Sequence, residues 1–377
     1  MKSLGMLSLA AGVALAALGI AGSSSAASVV FQERSAAPPN NACDRACLDG
    51  WADRYMAALV AHDVKSLPWA KGARFSENNV MLKPGDGLWK TISSKGEKIS
   101  ELHFADVPRQ TAGFFSIVKE RDVSGFFALR LKIVDGQIVE AETNISRQAP
   151  RPAVAPAAAP RPAAAPAGAP AAGPGAGAGG GTGFTTSTPE AFRHYEAFGD
   201  VLPAAERVGR GRYQDIGNGY WATMQLNDGQ LLTKFAVDCG RVEDGAITSG
   251  GVLPNGQRRM TCGEQFATGN YRTDTDVRDR EAVLIDEEKG LVLYRAFIDH
   301  NAAAKTLRNI RGEERPSGQR QPSTFSLLEL FKIKNGEIWR VEVVHTNVPY
   351  RMPSPWRRVD ADFADPAAYA AWSGGAK

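Results

Sequence analysis

Twelve residues near the C-terminus constrain this chain most: Phe331-Lys332-Ile333-Lys334-Asn335-Gly336-Glu337-Ile338-Trp339-Arg340-Val341-Glu342. Asn-Gly between two apolar-patterned runs is the strongest short-range hairpin signal, because both central residues of the tight turn need positive φ. Phe331, Ile333, Ile338 and Val341, with Trp339 between them, suit a sheet with one covered face. Two hundred positions earlier, Leu131-Lys132-Ile133-Val134-Asp135-Gly136-Gln137-Ile138-Val139-Glu140-Ala141-Glu142 has the same turn, apolar rhythm, and Lys, Ile and Glu positions. Upstream of each hairpin a helix-like segment ends in a polar-Asp pair (His62-Asp63, Asn227-Asp228), followed by a phenylalanine (Phe75, Phe235) and an acidic cluster. The pattern predicts two divergent copies of one α+β domain.

A chain of 377 residues has room for two such domains. Lys2, the apolar run Leu4 to Ile20 and the small residues Ser23-Ser24-Ser25-Ala26-Ala27 predict a secretory signal over 1–27, removed near Ala26 or Ala27. No cysteine follows the run at once, so no lipid anchor is expected, and no later stretch has the length for an integral membrane segment. The expected location is periplasmic or secreted. There Cys43, Cys47, Cys239 and Cys262 would be oxidised. Of three possible pairings, the local one, Cys43 with Cys47 and Cys239 with Cys262, is preferred. Cys43 and Cys47 as zinc ligands lack further ligands at metal-site spacing. A net charge of +3 with interspersed signs argues against a nucleic-acid partner.

The chain divides into a leader (28–42), a first domain (43–147), a linker (148–183), a second domain (184–360) and an Ala-rich tail (361–377) that is a cap or a fray. The first helix covers about 43–61, capped by Asp44, with Leu48, Trp51, Ala52, Tyr55, Ala58 and Leu59 in one stripe. Strands are expected at 99–107, 112–120, 125–134 and 137–146. The linker is almost wholly Ala, Pro and Gly and has nothing from which to build a core. In the second domain, short helices are expected at 189–202 and 265–272 and a main helix at 212–226, with strands at 280–285, 291–298, 324–333 and 338–346. Residues 246–260 form a polar insertion.

Several stretches together resemble a family of secreted bacterial and fungal proteins carrying the NTF2-like, or SnoaL-like, α+β cone. They are Cys43-Asp44-Arg45-Ala46-Cys47-Leu48, Phe75-Ser76-Glu77-Asn78 with Gly87-Leu88-Trp89, and Gly263-Glu264-Gln265-Phe266-Ala267-Thr268-Gly269. The others are Phe297-Ile298-Asp299-His300, Glu329-Leu330-Phe331-Lys332-Ile333 and Thr346-Asn347-Val348-Pro349-Tyr350. The resemblance covers most of 43–147 and 207–356. It implies two domains, each a curved antiparallel sheet wrapped around an N-terminal helix, and leaves open whether they sit apart, pair within the chain or pair between chains as a homodimer. Such cones include isomerases, dehydratases and cyclases as well as plain binding modules, so the fold does not choose a reaction.

A cone encloses an apolar pocket, and polar side chains inside it are the unusual feature. Asp299-His300 closes a strand, and His300 can act as a general base or as a surface cap. Adjacent strand residues face opposite ways, so only one of the two points inward. His345 shares a face with Val343 and Val341, opposite Glu342, and is either poised in the pocket or a satisfied core histidine. Asp238, Arg241 and Glu243 form a mixed cluster in which Asp238 is a candidate base and Arg241 a stabiliser, with a structural ion pair as the alternative. The resemblance implies a base near this region, and Glu77 and Asn79 are the plainer first-domain counterparts. Tyr220, with Tyr213 and Tyr55, lies on a helix stripe and can donate to a developing oxyanion or simply fill the core. Glu264 and Arg272 are placed near the pocket mouth.

No Gly-rich phosphate loop, Ser-elbow or metal cluster is evident in the sequence, and no cofactor is expected. What remains is a cofactor-independent lyase or isomerase acting on a small organic molecule, such as an aromatic, sugar-derived or polyketide-like compound. The alternative is a non-catalytic binding or assembly protein that uses the pocket for a hydrophobic ligand or its outer sheet faces for partners. Two or more ionisable groups facing inward favour the enzyme; a pocket filled by Phe and Leu favours the alternative.

Overall fold

The structure, a computed structural model, describes residues 42–147, 185–186, 188–253 and 255–356. The expected signal, linker and tail lie outside the described residues. The first half contains helices α1 (Arg45–Val60) and α2 (Leu88–Thr91) and strands β1 (Trp69–Glu77), β2 (Val80–Leu82), β3 (Ile92–Lys95), β4 (Leu102–Asp106), β5 (Thr111–Glu120), β6 (Val123–Val134) and β7 (Gln137–Arg147). The second contains β8 (Thr185–Thr186), α3 (Arg210–Leu226), β9 (Phe235–Glu243), β10 (Ala246–Ser249), α4 (Cys262–Phe266), β11 (Asp276–Asp286), β12 (Leu291–His300), β13 (Thr306–Arg308), β14 (Glu314–Pro316), β15 (Ser323–Lys334) and β16 (Glu337–Val348). The fold is α+β, with two sheet-bearing halves.

The sheets share a strand order. The first runs β2-β1-β7-β6-β5, with β3 and β4 both on β5, and the second runs β11-β12-β15-β16-β9-β10-β8. In each, the strand after the main helix pairs in parallel with the last strand (β1 with β7, β9 with β16), and the other described pairings are antiparallel. Both diagnostic hairpins form, with Asp135-Gly136 and Asn335-Gly336 in the left-handed region as their turns demand.

Several local expectations differ. Residues 189–202 hold two short 3-10 turns, Pro189–Ala191 and Glu196–Phe198, anchored by the buried Phe192 and Phe198. The polar insertion contains β10. The helix expected at 265–272 is α4, which starts at Cys262 because Thr261 and Glu264 form a capping box there.

Helix α1 packs Leu48, Trp51, Ala52, Tyr55, Met56 and Leu59 against Phe114, Phe127, Leu129, Leu131 and Ile145 of its sheet. Helix α3 does the same with Tyr213, Ile216, Tyr220, Trp221 and Met224 over Tyr294, Leu327, Phe331 and Val341. The opposite faces of the two sheets meet each other: Leu102, Phe104, Phe115 and Phe126 of the first join Leu284, Leu293, Leu328, Leu330 and Val344 of the second. The central strands are therefore covered on both sides, which explains near-continuous apolar runs such as Leu327-Leu328-Glu329-Leu330-Phe331.

Polar groups also cross between the halves. The buried Glu142 carboxylate accepts from Arg130 Nε at 2.8 Å in its own half and from Arg295 Nε at 2.7 Å in the other. The Trp356 ring lies over Arg74, Arg130 and Arg295, and its Nε1 donates to Ser76 Oγ at 3.0 Å. Disulfides join Cys43 to Cys47 and Cys239 to Cys262, one in each half. Such bonds fit an oxidising compartment. No described helix is long and apolar enough to cross a membrane.

Candidate functional site

The two halves differ inside. Under α1 the space is filled by aromatic rings: Tyr55 meets Trp69 and Trp89 edge-on, and Trp69 meets Phe75. Under α3 a cavity of about 520 Å³ opens. Strand alternation determines its lining, because every second side chain of a strand faces the helix. Arg241 and Glu243 of β9 face in, as do Ile298 and His300 of β12, Phe325, Leu327 and Glu329 of β15, and Val343 and His345 of β16. Tyr220 and Met224 line it from α3, Gln265 and Tyr271 from α4 and the turn after it, and the β13–β14 hairpin with Leu253, Arg258, Arg259 and Met260 from the remaining sides.

A continuous hydrogen-bond network forms one wall. Tyr220 Oη donates to Glu329 Oε1 at 2.9 Å and accepts from Arg241 Nη1 at 3.2 Å. Arg241 also donates to Thr248 Oγ1 at 3.0 Å, to Gln265 Oε1 at 3.2 Å and to Tyr271 Oη, and its Nε pairs with Glu243 at 2.8 Å. Tyr271 Oη donates to Gln265 Oε1 at 2.6 Å. Burial raises the Glu329 carboxyl to about 8, against the lowering pull of the Arg241 charge and the Tyr220 hydroxyl. A carboxyl so placed is largely protonated at neutral pH and can exchange its proton close to that range.

Two histidine–aspartate pairs flank Phe325. His345 Nδ1 lies 3.0 Å from Asp244 Oδ2, and His300 Nε2 lies 3.1 Å from Asp274 Oδ1. Each imidazole centroid is 4.4 Å from the Phe325 ring. For His345, burial alone would lower the pKa; the Asp244 charge and hydrogen bond outweigh it and raise it to about 9, so the ring is cationic at neutral pH. His300 is buried, and its Nδ1 has no hydrogen-bond partner among the described residues.

Of the residues singled out in the sequence, Tyr220, Arg241, His300 and His345 come together around this cavity. Asp238 does not. It lies on the opposite face of β9 from Cys239 and Arg241, 57% exposed, accepting from Trp339 Nε1 at 3.0 Å and Arg340 Nη2 at 2.9 Å. Asp299 points away from the cavity too, its carboxylate held by Arg278 Nε at 2.9 Å and Thr324 Oγ1 at 2.5 Å. Glu264 caps α4 and pairs with Arg258 at 2.7 Å, and Arg272 is exposed, outside the lining. Tyr213 Oη accepts from Val208 N at 3.3 Å and Tyr55 fills the first core, so neither reaches the site.

In the sequence Glu329 figures only within a motif stretch and is not singled out as a site residue, and neither are Asp244, Asp274, Gln265 and Tyr271. For Glu329 a signal existed. Phe325, Leu327, Glu329, Phe331 and Ile333 share one strand face, and a single acid in that row is out of place in a core. At the same offset of two hundred, the first half has Leu129 and Ile145 where the second has Glu329 and His345, and both are buried in the first core. Phe75 and Arg241 likewise occupy matching places, opposite Ala141 and Val341 on the final strands.

A family model described as a domain of unknown function (DUF8021) matches residues 206–345, well under half of the chain and all in the second half. Comparison with curated proteins returns no match. Among solved structures, a protein from Sphaerobacter thermophilus is similar at 12% identity and a TM-score of 0.22, covering 27% of this chain and 96% of that one. AclR, a proposed hydroxylase from Streptomyces galilaeus, is similar at 14% identity and a TM-score of 0.23, covering 43% and 99%. Similarities this low carry no argument about chemistry.

Proposed function

We propose that the two halves are diverged copies of an NTF2-like, SnoaL-like cone and that the second is a cofactor-independent proton-transfer enzyme, a lyase or isomerase acting on a small organic molecule. The shared strand order and the matched hairpins support the duplication. The first copy, filled by aromatic rings, serves as scaffold. In this reading the domains are 43–147 and 184–360, joined by the 148–183 linker, and the signal over 1–27 directs the protein to the periplasm or outside the cell.

The observation that carries the chemistry is the Glu329 carboxyl, wholly buried, bonded to Tyr220 and poised near 8 at the wall of a cavity. Several other ionisable groups face the same space, which supports an enzyme over a passive apolar pocket. His300, through Nδ1, takes a proton from a carbon beside a substrate carbonyl. The electron pair moves to the carbonyl oxygen, which the protonated Glu329 and the Tyr220–Arg241 pair behind it stabilise. Cationic His345 returns a proton to the substrate or to its leaving group. Every atom needed comes from the substrate and these side chains.

The test is proton exchange. The protein is incubated in D2O with a panel of enolisable ketones and hydroxyketones, and deuterium incorporation is followed by mass spectrometry. The expected result is protein-dependent exchange into some compounds, lowered roughly 100-fold or more in Glu329→Gln and His300→Asn. Exchange that matches the protein-free rate for every compound contradicts the reading.

A further inference from the structure

The charge around the cavity mouth is unevenly distributed. Residues 301–322, which include the β13–β14 hairpin, contain Lys305, Arg308, Arg311, Arg315 and Arg320 against only Glu313 and Glu314. Residues 250–261 contain Arg258 and Arg259 and no acid. From these segments Arg258, Arg259, Arg308 and Arg315 line the same cavity. This cationic excess is concentrated at one opening in a chain whose net charge is only +3. Arg258 and Arg308 are 62% and 70% exposed at the side chain, so they reach incoming solutes although Glu264 and Glu314 pair with them.

Further in, the walls are apolar: Met224, Ile298, Leu307, Phe325, Leu327 and Val343. The charge on the deep wall depends on ionisation. Glu329, faced by Arg241, Tyr220, Glu243 and His345, is held mostly neutral by burial. His345, faced by Asp244, Glu243 and Glu329, is held cationic. The other acids of this wall are each paired, Glu243 with Arg241 and Asp274 with His300, and at neutral pH the Glu329 carboxyl adds little anionic charge to it.

We infer that the cavity takes an amphipathic organic anion, an apolar ring or chain bearing one acidic group, with the apolar body against the Phe325 wall and the anionic end among the arginines of the mouth. Guanidinium groups suit this recognition because their N–H forks match anionic oxygens. A cavity of about 520 Å³ is ample for a bicyclic body. The inference rests on the proposed function only in placing the substrate in this cavity, and it sets the substrate class.

The test uses the full chain and three probes of one shape: 2-naphthoate, 2-naphthyl phosphate and neutral 2-naphthamide, titrated by calorimetry at pH 7 in low and high salt. At least one anion is expected to bind roughly tenfold or more tighter than the amide, with the advantage shrinking at high salt. Whichever anion binds better identifies the acidic group as carboxylate or phosphate. The double variant Arg258→Gln/Arg308→Gln, at two exposed positions, is expected to lose most of the anion preference and to bind the amide unchanged. An amide that binds as tightly as both anions, a double variant that keeps the preference, or no binding by any probe overturns the inference. Binding is read without turnover. Anion binding without deuterium exchange would overturn the enzyme reading and leave this one standing, whereas exchange into neutral ketones without anion preference would do the reverse.

Discussion

At the residue scale, a few inward positions decide what the second half can do. Glu329 makes the second core polar at the position where Leu129 keeps the first apolar. Its raised pKa has a stability consequence of definite sign. Below the unfolded value of about 4.3 both states are protonated and the contribution is fully present; it is lost as pH rises toward about 8. His345 acts in the same direction over a higher window, contributing fully below about 6.5 and losing the contribution as pH rises through about 9. The wild-type melting temperature is therefore expected to fall between pH 7 and pH 9. Glu329→Gln should flatten that fall and be the more stable protein at pH 9, by on the order of a few kcal/mol. Calorimetry across that range tests it, and a parallel fall in both proteins counts against the assignment. Residue choice was half legible in the sequence. Four singled-out residues line the cavity: Tyr220 stands out by a helix stripe, His345 by strand alternation, Arg241 by its charged cluster and His300 by its place beside Asp299 at a strand end. Asp238 misled because its neighbours suggested a cluster, while alternation placed it outside. Glu329 was overlooked because β15 is covered on both faces, so the apolar residues around it hid the alternation.

At the element scale, the hairpins and the two long helices were legible because their signals are local: turn residues and period. The parallel pairing of β1 with β7 and of β9 with β16 was not, since each joins strands far apart in sequence and only the assembled sheet selects the partner. The approach of α3 to its sheet is set by Gly217, where an added Cβ would lie 2.3 Å from the Tyr294 ring. Gly217→Ala is expected to push the helix outward and to cost about 1–3 kcal/mol, with weaker probe binding in the cavity beneath. Denaturant titration measures the first effect; unchanged stability would show that the helix is not held this closely. Gly336 has positive φ in the diagnostic turn. A β-branched residue there, as in Gly336→Val, should cost about 1–3 kcal/mol while leaving probe affinity in the folded protein unchanged.

At the scale of the whole molecule, the halves share a buried face, a point on which composition alone was silent. The Arg130–Glu142–Arg295 cluster links them in a buried setting. Burial would raise the Glu142 pKa, and the Arg295 and Arg130 charges more than offset it, so the net direction is down. Its contribution is present above the unfolded carboxylate pKa and is lost on acidification through the lower folded value. Removing one partner, as in Arg295→Met, strips the buried Glu142 carboxylate of one of its two guanidinium partners and should cost up to about 3–5 kcal/mol. Replacing all three with apolar residues of similar size should recover much of that. Calorimetry should show one transition for the wild type and two for Arg295→Met; a single unshifted transition would show that the cluster does not couple the halves.

The most direct test of the account is the titration of one carboxyl group. With glutamate labelled at Cδ with ¹³C and the Glu329 signal assigned by its loss in Glu329→Gln, the chemical shift is followed from pH 4 to pH 10. A midpoint near 8, several pH units above that of an exposed glutamate, is the expected result. A midpoint in the ordinary carboxylate range would mean that Glu329 is a plain anion at neutral pH, and the cavity would lose the acid on which the proposed chemistry depends.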